Sequence, residues 1–412
     1  GDSDRLWLYL VMPFMSATVG WLTNVLALKM TFYPVEFIGI KLWQPKNQPL
    51  GLFGWQGILP AKAAVMASKS VKLLTQELDV NAVFSNINPD EFAQQMGPGI
   101  LVMMDEIVRK VARRHLPLGM WDKIPEDVQI EIIIKTVDDA PSILSKVLMK
   151  VKDNIEDVLD LEHMVVTAMV ANKQLMIDIF IAVGTKEIIF IERSGFVLGF
   201  LFGIIQAVIW YFYQENEWIV FYVGGFIVGF ATNWIALKII FLPIGEYNIC
   251  GFKIQGLFLK RQDEVSRVFA QQNASKVLTP TAFWNAILTG PNKDNFNDLL
   301  EKSISSFLDK MLGHLETSVN RYFGKTEYQN VKDDIAQQII AALPAHVHHS
   351  YNYMEKALDL ETNLREKMQA LTKAKFERVL HPVFEEDELK LIIVGAVLGF
   401  LVGVFQNAVM FV

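Results

Sequence analysis

Four stretches of this chain, Leu6 to Leu28, Gly195 to Tyr213, Trp218 to Leu237 and Leu391 to Val412, contain no Asp, Glu, Lys or Arg. Each is about 20 residues long, the length an α-helix needs to cross a hydrocarbon core of roughly 30 Å. Core helices of soluble proteins are usually shorter. A chain of 412 residues that is 52% hydrophobic, with mean hydropathy +0.27, is also richer in apolar residues than ordinary soluble domains. The runs therefore predict four membrane-spanning helices. The first lacks a basic leader and a small-residue cleavage site and its sequence recurs later, so it reads as a retained span rather than a signal peptide.

GWLTNVLALKMTFYP, from 20 to 34, returns as GFATNWIALKIIFLP, from 229 to 243. Other landmarks follow in the same order: Gln56-Gly57 and Gln255-Gly256, Leu159 to Glu162 and Leu358 to Glu361, GFVLGFLFGIIQ at 195 and GAVLGFLVGVFQ at 395. This is the pattern of a tandem duplication of a unit of roughly 200 residues. Each unit reads as a span, a soluble stretch and a second span. Only Gln214 to Glu217 separates the second span from the third, so both soluble stretches must lie on one side of the membrane. The fold class expected is an all-α integral membrane protein: four transmembrane helices in two tandem units related by a pseudo-two-fold axis, each unit with a helical soluble lobe and a small β-hairpin near the membrane. The expected divisions are transmembrane helix 1 at 1–33, the first lobe at 34–194, helix 2 at 195–213, helix 3 at 218–242, the second lobe at 243–390 and helix 4 at 391–412.

Basic residues gather where the odd-numbered spans enter the soluble stretches, among them Lys29, Lys41, Lys46 and Lys62, then Lys238, Lys253, Lys260 and Arg261. This bias predicts that the soluble mass is cytoplasmic, or on the equivalent organellar side. Trp43 and Trp55 are expected at headgroup depth. The segment FIAVGTKEIIF, 180 to 190, reads as the second span continuing out of the membrane, with a re-entrant segment as the alternative. Cys250 is the only cysteine, which rules out an intrachain disulfide, and a net charge of −7 gives no sign of nucleic-acid binding.

Gly195, Gly199 and Gly203 recur every four residues, as do Gly395, Gly399 and Gly403, while Gly20 and Gly229 precede the Thr-Asn pairs by one turn. Small residues at this spacing form seams along which membrane helices pack closely. Thr23, Asn24, Thr232 and Asn233, with Gln206, Gln406 and Asn407, make an intramembrane polar set. It reads either as a symmetric interhelical hydrogen-bond clasp, with the related halves and Gln206, Gln406 and Asn407 as partners for the amides, or as a polar pathway or coordination site at the pseudo-two-fold axis. Lys29, Lys238, Lys62 and Arg261 stand where cations either snorkel to the interface or hold anionic lipid headgroups. His346, His348 and His349 lack the partners of a known metal site, and no phosphate loop, nucleophile elbow or His-Glu-x-x-His is present. No enzyme, metal or cofactor is expected.

The phrase G-x-x-T-N-x-x-A-L-K-x-x-F-x-P, followed some twenty residues on by Q-G-I-L-P and then by a Gly-rich closing span, resembles the membrane family called domain of unknown function 445. Thr23, Asn24, Lys29, Pro34, Gln56, Gly57 and Pro60 stand in the matching places. So do Thr232, Asn233, Lys238, Pro243, Gln255 and Gly256, with Leu259 where the first unit has Pro60. The resemblance implies an integral membrane protein with helical soluble regions and brings no activity. The functional expectation is a non-enzymatic scaffold, associated with membrane lipids, whose lobes self-assemble into a homo-oligomer. The alternative is a transporter or lipid-handling protein using the polar set and the interfacial cations.

Overall fold

The computed structural model describes residues 2–40, 47–51, 53–77, 80–138, 140–212, 217–249, 251–323, 325–380 and 388–410. Lys41, Trp43, Lys46, Cys250 and the link at 214–216 lie outside them. Nine helices bear on function: α1 (Asp2–Phe32), α2 (Pro89–His115), α3 (Glu126–Asp138), α4 (Ala140–Asp153), α5 (Lys173–Phe212), α6 (Glu217–Phe241), α7 (Lys293–Phe323), α8 (Lys325–His346) and α9 (Glu388–Met410). The chain forms two compact units, one of Gly1–Leu74, Val166–Asn273 and Leu364–Val412, the other of Thr75–Val165 and Ala274–Asn363.

In the first unit, α1 lies along α5 and α6 along α9. All four helices are long and apolar enough to cross a membrane. Their outward residues are large and apolar, with Phe14, Trp21, Val197, Leu201, Ile227, Trp234, Leu401 and Phe405 all exposed. A soluble protein would bury such a belt, whereas lipid is as apolar as the side chains. The inward face is glycine. A Cβ at Gly20 would strike the Gly195 carbonyl, and one at Gly229 would strike that of Gly395, so backbones meet at both crossings. α5 is a single helix of 40 residues, about 60 Å long and twice the hydrocarbon thickness. The segment 180–190 is therefore continuous helix and not re-entrant, and the expected boundary between 194 and 195 marks no change of structure.

After Pro34 the chain forms β1 (Ile38–Ile40), β2 (Leu50–Gly51) and β3 (Phe53–Trp55), in the antiparallel order β1-β3-β2. After Pro243 the described residues form β4 (Tyr247–Ile249) and β5 (Phe252–Ile254). The hairpin expected in the first half is thus a three-stranded sheet, because the longer connection supplies β2, which pairs Leu50 with Trp55. The Gln-Gly motif ends both sheets alike. Gln56 Nε2 donates to Val35 O at 2.7 Å and Gln255 Nε2 to Ile244 O at 3.1 Å. The next amides, Gly57 and Gly256, donate to Pro34 O and Pro243 O at 2.8 and 3.0 Å. Four-residue helices follow at Ile58–Ala61 and Leu257–Lys260. Pro60 and Leu259 serve equally there, since the first turn of a helix needs no amide donor.

In the second unit, α2, α3 and α4 from one half and α7 and α8 from the other belong to a single compact body. Stripes at three- and four-residue spacing dictate this. Phe92, Met96, Ile100, Met103, Ile107 and Val111 of α2 are buried, as are Phe296, Leu300, Ile304 and Leu308 of α7. Asn88 caps α2 by accepting from Asp90 N at 3.0 Å, with Pro89 in the first turn. Thr279 does the same for Pro280–Thr289.

Gly229→Leu should force α6 from α9 and lower stability in detergent by about 3 kcal/mol or more, the upper end of overpacking costs. Ile227→Leu on the exposed face should leave it unchanged, with thermal unfolding as the measurement.

Candidate functional site

The glycine seams explain the Thr-Asn pair. In a helix the carbonyl of residue i is partly covered by the side chain at i+4; at Gly195 and Gly395 there is none. The space is taken by an amide. Asn24 Nδ2 donates to Ile191 O at 2.6 Å, and Asn233 Nδ2 donates to Leu391 O at 3.1 Å. Both residues are buried, and a Cβ at Gly195 or Gly395 would collide with the respective amide. Thr23 and Thr232 return their hydroxyls to their own helices, at Gly20 O (3.1 Å) and Val228 O (2.8 Å). The amides thus clasp α1 to α5 and α6 to α9, with backbone carbonyls as their acceptors.

A link between halves comes instead from Gln206, whose Oε1 accepts from Ser16 Oγ at 2.9 Å while Nε2 donates to Val220 O of α6 at 2.9 Å. Gln406 is buried too. The position matching Ser16 is Gly225, so the hydroxyl partner is missing there. Asn407 only approaches Tyr222 OH, at 3.5 Å.

Three of the four interfacial cations are already engaged. Lys238 pairs with Glu388 at 3.0 Å. Arg261 Nη1 donates to both carboxylate oxygens of the buried Glu187, at 2.5 and 2.6 Å, and its Nε donates to Glu264 at 3.0 Å. Burial works against the Arg261 charge, but hydrogen bonds to Glu264 and Glu187 outweigh it and hold its pKa above the ordinary value. The hydrogen bond from Arg261, and then that from Lys186, lowers the Glu264 carboxyl to about 2. Lys62 is buried and engaged. Lys29 is exposed, and Ile188 occupies the place that matches Glu388. Among the described residues, no cluster of three or more His, Cys, Asp or Glu is placed to hold a metal.

The feature that the sequence reading missed lies in the second unit. A cavity of about 510 Å³ runs between α2, α4, α7 and α8. On α2 alone its wall extends from Phe92 to His115, roughly 35 Å at about 1.5 Å per residue. The cavity is long rather than round. Among its described lining side chains, outside the two tryptophans, only His115, Thr136 and Lys152 are polar. Lys152 is committed to Ile87 O and Ser85 O at 2.6 and 2.9 Å. His115 Nε2 lies 3.0 Å from Asp334 Oδ2, and Arg114 pairs with Oδ1 of the same carboxylate. Burial would raise the Asp334 pKa, but hydrogen bonds from Gln338 and His115 and the Arg114 charge bring it below its usual value. Well-packed interiors leave few voids larger than a water molecule. The dimensions are those of a ligand pocket.

No family model matches the chain, and no solved structure matches it. UPF0754 membrane proteins of Staphylococcus aureus strains Newman and Mu50 are each 24% identical to it over 150 residues, or 30% of this chain. The matched part spans 40% of the length of those relatives. The likeness agrees with the four apolar helices: this is a membrane protein similar to uncharacterised ones.

Replacing Asn24 or Asn233 by Leu should each destabilise the membrane helices by about 1 kcal/mol, the scale of an interhelical hydrogen bond in lipid, as read by thermal unfolding in detergent. The Glu264 carboxyl is depressed in the folded state, so its stabilising effect is complete above about pH 4.5 and is lost as pH falls toward 2. The stability difference between wild type and Glu264→Gln should be constant above pH 5 and shrink steadily below it.

Proposed function

We propose that this is a non-enzymatic lipid-handling membrane protein whose helical second unit takes up the hydrocarbon chain of a lipid. The observation that carries this reading is the cavity of about 510 Å³, elongated and almost wholly apolar. Among the described residues its wall presents no free arginine or lysine to a carboxylate or phosphate, so a neutral chain lies within and any charged headgroup stays at the mouth. The intramembrane amides are tied to backbone carbonyls, which disfavours a polar solute path between them. The scaffold reading has lost one of its supports, because the glycine seams are occupied within the chain.

We further read the chain as a tandem duplication of a unit of roughly 200 residues. Its support is the recurrence of the same hydrogen bonds at matching places: Asn24 and Asn233, Gln56 and Gln255, Gly57 and Gly256. The pseudo-two-fold relation and the cytoplasmic side for the soluble mass follow from that duplication and from the lysine bias.

The test is lipid that copurifies in mild detergent, identified by mass spectrometry, together with uptake of a fluorescent fatty acid. Ile107→Trp and Ile304→Trp fill the cavity from opposite walls. Each should lower fluorophore affinity about tenfold or more, a loss of about 1.4 kcal/mol, with helicity by circular dichroism unchanged. Equal uptake by wild type and both variants would refute the proposal.

A further inference from the structure

Two tryptophans stand in the wall of the second unit's cavity, Trp121 and Trp284, and they differ in one respect. Trp284 Nε1 donates to the Ser350 hydroxyl at 2.9 Å. Trp121 Nε1, in a residue 3% exposed, has no acceptor. A buried indole N–H ordinarily finds a partner, and one left unpaired keeps the full penalty of losing water. Among the described residues, this is the one buried side-chain atom without a hydrogen bond that belongs to a residue of the cavity wall.

The indole is not there by slack packing. Trp121 opens a short 3₁₀ turn, Trp121–Lys123, whose carbonyls are gripped from α3: Gln129 Nε2 donates to Trp121 O at 3.1 Å and to Ile124 O at 2.9 Å. Gln129 is itself buried, and its Oε1 accepts from Arg109 Nη1 at 3.0 Å while Arg109 Nε donates to Asp105 at 2.9 Å. Carboxylate, guanidinium, amide and backbone form one chain of bonds that fixes the turn carrying the indole. A donor fixed before any ligand arrives is preorganised for one. Water fits poorly, because a buried water takes about three hydrogen bonds. Here the Trp121 and Ile124 carbonyls are already engaged and the wall is almost entirely apolar.

The group that complements this donor accepts a hydrogen bond and brings neither charge nor a proton of its own. A carboxylate does not fit. His115, in the same wall, already shares Nε2 with Asp334, and Arg114 holds the other oxygen of that carboxylate. Asp334 stays ionised, its pKa held below the usual value, so a second anion beside it would be repelled. A hydroxyl fits less well than a carbonyl, since its proton would need an acceptor and the unpaired atom of the wall is a donor. An ester carbonyl meets both conditions. We infer that the cavity holds the acyl chain of an ester lipid, with the ester carbonyl accepting from Trp121 Nε1 and the hydrocarbon lying along α2 towards Phe92. The inference rests on the reading of the cavity as a lipid site and adds the chemical class of the lipid.

The full chain in mild detergent, loaded with the fluorescent fatty acid, is challenged with a long-chain methyl ester, the alkane of equal length and the corresponding alcohol. The ester should displace the fluorophore about fivefold more effectively than the alkane, the scale of one hydrogen bond. Trp121→Phe keeps an aromatic ring and removes the N–H, so it should lose that preference while binding the alkane as before. On the unaltered protein, the carbonyl stretch of an isotope-labelled ester should move to lower frequency on binding, which frees the test from the folding of any variant. Copurified lipid should be acyl ester, with headgroup phosphorus separating phospholipid from glyceride. Equal displacement by ester and alkane, an ester preference that survives Trp121→Phe, tighter binding of the alcohol, or copurified free fatty acid alone would each overturn the proposal. If Ile107→Trp still loses fluorophore while Trp121→Phe keeps the wild-type ranking, the ester assignment fails and the cavity reading stands. If Ile107→Trp changes nothing, both fall.

Discussion

The membrane-spanning part of this protein depends on one interaction made twice: a side-chain amide donating to a backbone carbonyl that a glycine leaves uncovered. Lipid supplies no hydrophobic drive to bring helices together, so close backbone approach and hydrogen bonds must do it. Gly195 and Gly395 permit both at once. Without the glycine there is no room for the amide; without the amide the glycines are only a groove. This is why the Thr-Asn pair, one turn past Gly20 and Gly229, sits inside apolar sequence at all. It also gives the closing spans their four-residue glycine rhythm.

The second unit solves a different problem with the opposite result. Its helices bury apolar stripes as an ordinary core does, yet leave a long channel between them. An amphipathic stripe is satisfied by any apolar neighbour, whether another side chain or the chain of a lipid. The polar groups at its edge are already committed, Lys152 to carbonyls and His115 to Asp334, so little at the wall selects a charged headgroup. Selection by length and shape is what such a wall can impose.

How much of this was legible in the sequence follows from what each signal reports. Charge-free runs reveal the four membrane helices because the bilayer sets their length, and the Gln-Gly motif is readable as a repeat because its geometry is local. The acceptor of Asn24 was not legible: an amide in an apolar run must find a partner, but Ile191 O is distant in sequence and carries no residue-type signature. The cavity was hidden for a related reason. Periodicity at Phe92, Met96 and Ile100 says that a face is covered, not whether the opposing stripes meet. Only the set of helix-to-helix distances decides that, and those distances are set jointly by both halves of the chain. The three-stranded sheet was missed because β2 is just two residues long.

That joint construction has a consequence for folding. The channel is walled by residues 84–152 and by residues 284–354. Neither stretch encloses it alone, so its walls are complete only once segments more than a hundred residues apart have met, a contact whose closure entropy the chain meets late rather than early.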